Sequence, residues 1–206
     1  MDAHLRAGAA IYNAGEYHAA HDAWEEEWLD RERGTDDERL LHGLIQFTAA
    51  IHHAHHANWA GVRGLAESGA DYLADLPADH RGVNVGAVGA YLEATRDDPE
   101  HVERVGPPRL TVDDAALALA DLDFEETAVA APVLAEEYPG YDETVVERAV
   151  DYAREDLAAG DDGSKFITLV MDFVADAENR GLVYQRLRGH VERRRARERD
   201  VEGLFD

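Results

Sequence analysis

The sequence contains no cysteine and almost no lysine. Without cysteine, the chain has no disulfide bonds, no thiolate catalysis and no cysteine-ligated zinc or iron–sulfur centre. A metal site would have to be built from histidine and carboxylate side chains. Lys165 is the single lysine, and the other nineteen of the 20 basic residues are arginines. The chemistry open to the chain is therefore that of histidine, carboxylates and arginine.

Long apolar runs are also missing. No stretch approaches the roughly 18 apolar residues that a membrane-spanning helix needs. The first residues lack the cationic start and apolar core of a signal peptide. We therefore expect a cytoplasmic protein that does not enter a membrane. A hydrophobic content of 45% is typical of a packed globular chain.

Positive charge is scarce relative to negative charge. The 44 acidic residues outnumber the 20 basic ones and give a formal net charge of −24. Such a surface repels a phosphate backbone, which disfavours nucleic acid as a partner. The acids are spread along the chain, which favours adaptation to molar salt, where the Debye length shrinks to about 3 Å. An acidic patch for a basic protein partner is the alternative, and a homo-oligomer is also compatible with this composition.

Apolar residues recur at helical spacing through most of the chain. The pattern predicts an all-α protein, an antiparallel bundle of about eight or nine helices. In the second half, the predicted helices are 124–137, 142–159, 164–177 and 180–199. The stretch 109–120 is compatible either with one small β-hairpin or with more helix.

A polar stretch containing Gly106, Pro107 and Pro108 divides the chain. It predicts a helical domain over residues 1–98 and a helical C-terminal extension over 99–206, which could pack on the first domain. Residues 201–205 could pack back on the protein or dock to a partner. The role of the extension is left open.

One face of the second helix carries four polar side chains at positions i, i+3, i+4 and i+7: His18, His21, Asp22 and Glu25. The three glutamates at 25–27 are otherwise expected to be mostly solvated. Asp36 or Asp37 is the predicted N-cap of the third helix. That helix is apolar on most sides, which predicts a central position in the bundle.

The third helix also carries Gln46 and His53, two turns apart. If the second and third helices pair antiparallel, His21 and Glu25 could converge with these two residues. Two imidazoles and a carboxylate with an open position are typical of a catalytic zinc or non-haem iron site. As a metal site, His21, Glu25 and His53 would hold a divalent ion, either zinc or iron or manganese. Asp22 or Glu25 would assist catalysis by activating water.

The alternative is a buried network without metal. Helical proteins often keep His, Glu and Gln side chains hydrogen-bonded inside the bundle, where they fix the register of the helices. The protein would then be a non-catalytic structural or interaction module that binds a protein partner. Gln46 and Trp28 are the predicted binding residues, with Trp28 at or near a contact surface.

Several short runs in the first hundred residues carry a family resemblance. They are Asn13–Tyr17, the Ala20–Trp28 segment with His21 and Glu25, Gly43–Gln46 with His53, and Arg81–Val85. These runs resemble the domain of unknown function 309 family. The resemblance implies a compact fold of antiparallel helices and a label of predicted metal-dependent hydrolase. The chain departs from the family pattern at Asp22, where glutamate is usual.

The last helix reverses the charge of the protein. Between Arg186 and Arg199 it holds seven arginines against two glutamates. Pairing with acids elsewhere in the second half is the simplest interpretation, and RNA binding is a minor alternative.

Overall fold

The computed structural model describes residues 1–202, and side chains up to residue 200. Within that part, ten α-helices and two short 3-10 turns account for the regular structure, which confirms the predicted all-α class. None of these helices combines the length and apolar character that a bilayer-spanning segment needs. The segment 201–205, which we expected to pack back or dock, lies outside the described side chains.

Two compact units divide the chain, Met1–Leu122 and Asp123–Asp206. Unit 1 contains α1 (Asp2–Asn13), α2 (Tyr17–Leu29), α3 (Asp36–His55), α4 (Trp59–Leu73), α5 (Val85–Asp97) and α6 (His101–Val105). Unit 2 contains α7 (Phe124–Glu136), α8 (Glu143–Ala158), α9 (Lys165–Ala175) and α10 (Arg180–Glu202). The bounds of these last four helices lie within three residues of the predicted ones.

The central helix of unit 1 is α3, as its apolar pattern predicts. It packs against both α2 and α4. Its buried side chains include Leu40, Leu44 and Ile51. The α3–α4 contact is close because Gly43 leaves no room for a side chain: a Cβ there would lie 2.4 Å from Leu73 Cδ2.

The N-cap of α3 is Thr35 and not either of the aspartates that follow it. The backbone of Thr35 is extended, and its Oγ1 accepts a hydrogen bond from the Glu38 amide at 3.3 Å. Asp36 and Asp37 fall instead in the first turn of the helix. There their negative charges interact favourably with the positive end of the helix dipole.

The predicted boundary after residue 98 falls inside unit 1. The polar stretch beyond it is held by the end of α1. Tyr12 donates to the Pro108 carbonyl at 2.8 Å, and the Asn13 amide donates to the carbonyls of Leu110 (2.8 Å) and Leu117 (3.1 Å). Because two side chains satisfy these loop carbonyls, a segment with the composition of a linker packs as part of unit 1.

Neither the hairpin nor a longer helix forms over 109–120 in the described chain. The segment contributes isolated bridges, Val112 to Val83 and to Ala115, around a turn in which Asp113 and Asp114 have positive φ angles of 53° and 63°. Asn84 binds this segment on both sides, accepting from the Thr111 amide at 3.0 Å and donating to the Arg109 carbonyl at 3.0 Å. Side-chain hydrogen bonds thus supplement the few backbone pairings of this segment.

Candidate functional site

The polar face of α2 lies opposite its buried face. Ala19, Ala20, Ala23 and Trp24 pack into the core of unit 1. Because that face is buried, the four polar side chains at 18, 21, 22 and 25 lie on the outer face of α2, as the helical spacing predicts. His18 Nδ1 lies 3.2 Å from Asp22 Oδ2, and His21 Nε2 lies 3.9 Å from Glu25 Oε2.

Three of these side chains form a group that could hold a metal ion. One ligand atom each from His21, Asp22 and Glu25 lie within 4.8 Å of one another. Metal–ligand bonds of about 2.0–2.2 Å place neighbouring ligands closer together than that, so rotamer adjustments are needed to close a site. The side chains of His21, Asp22 and Glu25 are 27%, 24% and 46% exposed, which leaves them free to adjust.

A cleft of about 270 Å³ opens beside this group, between α2 and α3. Its lining comprises Tyr17, His18, His21, Thr48, Ala49, His52 and His53. The small side chain of Ala49 leaves space at the α3 wall. The rings of His18 and His52 face each other across it with centroids 6.0 Å apart. Four imidazoles therefore surround one small cleft.

One of these four imidazoles, that of His52, favours its neutral form. Burial lowers the pKa of His52, and the neighbouring His56 and His18 lower it further. Its neutral form is therefore favoured at neutral pH, and a neutral imidazole can accept a proton or bind a metal.

His53 lines the cleft but is held from the other side. Its Nδ1 lies 2.7 Å from the Asn58 side-chain amide nitrogen, while Asn58 Oδ1 accepts from the Gly61 amide at 3.1 Å. With the amide nitrogen as donor, Nδ1 accepts, and the ring proton resides on Nε2. A metal-bound histidine has the opposite arrangement, since it donates its second ring nitrogen. This contact weakens the prediction that His53 is a ligand.

Gln46 does not join the cleft lining. Its Cβ packs on α4, 3.2 Å from the position that a Cβ on Gly69 would occupy. Residues 46 and 49 are three apart and so differ by about 60° around α3. That rotation directs Gln46 toward α4 while Ala49 faces α2.

Trp28 lies in a second, larger cleft of about 740 Å³. The lining residues are Trp28, Arg33, Gly34, Glu38, Arg39, His42, Ser68, Asp71 and Tyr72. Three rings contact one another along it: the Trp28 and His42 rings are tilted with centroids 4.5 Å apart, and the His42 and Tyr72 rings stack with centroids 3.9 Å apart. The predicted binding residue thus belongs to an aromatic wall and not to the histidine cleft.

A buried carboxylate that sequence reasoning missed anchors this wall. Glu38 accepts hydrogen bonds from Trp28 Nε1 at 2.9 Å and from the Gly34 amide at 3.2 Å. Burial by itself would raise the pKa of Glu38, but these donors and the adjacent His42 outweigh it and lower the pKa. The sequence feature that could have identified Glu38 is its position three residues after Thr35, the N-cap of α3.

We expect Glu38→Gln to destabilise unit 1 by about 1–3 kcal/mol at pH 7, because a buried donor loses its charged acceptor. A lowered carboxyl pKa stabilises the fold above its ordinary value of 4.5 and ceases to do so as pH falls through the folded-state value. The difference between variant and wild type in urea unfolding should therefore shrink toward pH 3. Glu67→Gln, at an exposed position, is the matched control and should change stability by less than about 0.5 kcal/mol. Equal losses in the two variants would contradict the role given to Glu38.

Glu27 is also buried, contrary to the expectation that the glutamates at 25–27 are solvated. It pairs with Arg31, and its Oε2 lies 3.0 Å from His4 Nδ1. The packing of α1 against α2 encloses this one carboxylate, while Glu26 stays exposed.

Residues 5–65, in the N-terminal part of the chain, match the family described as "Domain of unknown function (DUF309)". The match confirms the predicted resemblance over α1 to α3 and the start of α4, and ends well before residue 98. The histidine cleft lies within the DUF309 region, whereas Ser68, Asp71 and Tyr72 of the second cleft, and all of unit 2, lie beyond it.

An uncharacterized protein of Aquifex aeolicus (strain VF5) is 27% identical over 89 residues. The alignment covers 43% of this chain and 26% of that protein. The chain therefore spans about a quarter of the length of the curated relative that it matches.

Proposed function

We propose that the polar face of α2 binds a divalent metal ion and that the protein acts as a metal-dependent hydrolase. The observation that supports this most directly is the proximity of ligand atoms from His21, Asp22 and Glu25, within 4.8 Å, next to an open cleft. Their partial exposure argues against a buried network whose only task is to fix helix register.

The donor set suits zinc, iron or manganese. One imidazole and two carboxylates leave coordination positions for water and substrate. An ion held there supplies Lewis-acid activation of water near neutral pH. His18 lies against Asp22 and orients that carboxylate, in the way that neighbours of metal ligands commonly do.

The cleft supplies the remaining groups. His52, with its lowered pKa, is neutral near pH 7 and can accept a proton. His53, with its Nδ1 engaged by Asn58, presents a ring N–H as a hydrogen-bond donor rather than a ligand. We therefore assign the metal to α2 alone and the handling of substrate to α3.

Metal titration of the tag-free full-length protein tests this assignment. We expect one zinc or manganese equivalent in calorimetry, and His21→Ala and Glu25→Ala should each weaken it by about 100-fold or more. The control is a triple variant with glutamine at His52, His55 and His56, which removes adventitious imidazoles but no proposed ligand. It should keep the stoichiometric site. Loss of the metal from the triple variant but not from His21→Ala would exclude the α2 site.

Hydrolysis is tested separately with chromogenic phosphate and carboxylate esters. We expect activity in the metal-loaded protein that is lost both on chelation and in His21→Ala. Stoichiometric binding without turnover of any ester would retain the metal site and reject the hydrolase.

A further inference from the structure

The arginines of α10 fall into two groups. Arg194 is fully paired, with Asp156 at 2.6 Å and Glu155 at 2.7 Å. Arg193 and Arg197 form no ion pair with any carboxylate in the described part of the chain, although the protein has 44 acidic residues. Because residues four apart share one face of a helix, these two guanidinium groups place two unneutralised positive charges side by side on α10.

These two arginines line a cavity of about 380 Å³ in unit 2. The other lining residues are Phe166, His190, Arg194 and Glu198. The carboxylate of Glu198 is already engaged, because it accepts from the Tyr152 hydroxyl at 2.6 Å and lies 3.5 Å from Arg194 Nε. The charge left to face the cavity is therefore positive.

A third cation adds to the positive charge near His190. Lys165, the only lysine of the chain, is the first residue of α9. Burial lowers the pKa of His190, and the positive charges of Arg193 and Lys165 lower it further. The N-terminal end of α9 contributes its own partial positive charge. Arg193 and Arg197 thus line the cavity from α10, while Lys165 of α9 adds positive charge near His190.

The Arg193 side chain is also accommodated by the helix itself. Its guanidinium group lies over Gly189, where a Cβ would be 3.4 Å from Nη1. The Arg193 side chain therefore lies back over the preceding turn of α10.

We propose that unit 2 binds a small polyphosphate anion in this cavity, through Arg193, Arg197 and His190. Guanidinium groups bind phosphate oxygens through paired, charge-assisted hydrogen bonds, and an anion of two or more charges would neutralise the cluster. A volume of about 380 Å³ is sufficient for a small ligand. This site is independent of the proposed metal site in unit 1.

Pyrophosphate is the probe, titrated calorimetrically into the full chain at fixed ionic strength. We expect saturable binding that weakens by about tenfold or more in Arg193→Gln/Arg197→Gln, because two charge-assisted contacts are lost. The matched control is Arg188→Gln/Arg195→Gln, which removes the same charge from the opposite stripe of α10. It should change the affinity by less than about threefold.

Proton NMR gives a second readout. The pKa of His190, identified with His190→Gln, should rise when pyrophosphate is added, because a nearby anion stabilises the imidazolium form. Absence of saturable binding would overturn the proposal. Equal weakening in the two double variants would also overturn it, because binding would then be general attraction to cations. Displacement of bound pyrophosphate by a short RNA at much lower concentration would reject a small anion in favour of RNA.

Discussion

Raising KCl from about 0.1 M to about 2 M should stabilise the protein by several kcal/mol and raise its thermal midpoint by roughly 10 °C or more. The net charge is −24, and most carboxylates lie on the surface, where they repel one another. At about 0.1 M salt the Debye length is about 10 Å, so this repulsion reaches across neighbouring helices, whereas at 1 M it is about 3 Å. Thermal unfolding followed by circular dichroism across a KCl series measures the effect.

A variant with fewer charges separates repulsion from a general salt effect. Glu32, Glu67, Asp162 and Glu178 are exposed and form no ion pair in the described chain. Replacing all four by their amides changes the net charge from −24 to −20, since four negative charges are removed. The midpoint at low salt should rise, and the dependence on KCl should become shallower. Parallel salt curves for variant and wild type would show that repulsion is not the cause.

Trp24→Ala should cost about 3–5 kcal/mol, the largest loss that we expect from a single substitution. The indole is fully buried between α1 and α2. It fits against Gly8, where a Cβ would lie 2.1 Å from Trp24 Nε1, and it donates to the Leu5 carbonyl at 3.4 Å. Truncation would open a cavity under the helix that carries His21, so loss of metal affinity should accompany the loss of stability.

The controls for this variant are two other tryptophan substitutions. Trp24→Phe keeps most of the buried volume and should cost clearly less than Trp24→Ala in urea unfolding. Trp28→Ala removes the same number of atoms from a partly exposed position and should cost about 1–2 kcal/mol. A loss at Trp28 equal to that at Trp24 would contradict the assignment of Trp24 as the core anchor of unit 1.

The two clefts of unit 1 share α3 as a common wall. Thr48, Ala49 and His52 face the histidine cleft, whereas Glu38 and His42 face the aromatic one. Both clefts open between α2 and its neighbours, so the same register of α2 sets His21 in one and Trp28 in the other. A shift of α2 along α3 would alter both clefts together.

Local spacing was enough to predict one side of the candidate site. His18, His21, Asp22 and Glu25 lie together because residues three and four apart share a face on any helix, whatever packs against it. The placement of His53 and Gln46 could not be read in the same way. It depends on how far α3 is rotated relative to α2 and α4, and glycines at 43, 61 and 69 set that rotation by allowing α4 to approach.

The sequence by itself determined the all-α class, the positions of the four helices of unit 2, the absence of thiol chemistry and the polar face of α2, because each follows from composition or from periodicity along one helix. Tertiary structure decided the rest. It extended unit 1 to Leu122 through Asn13 and Tyr12, buried Glu27 and Glu38, and separated Gln46 from the histidine cleft. These outcomes depend on contacts between residues distant in the chain. A linker-like composition or an acidic side chain does not reveal which partner will satisfy it.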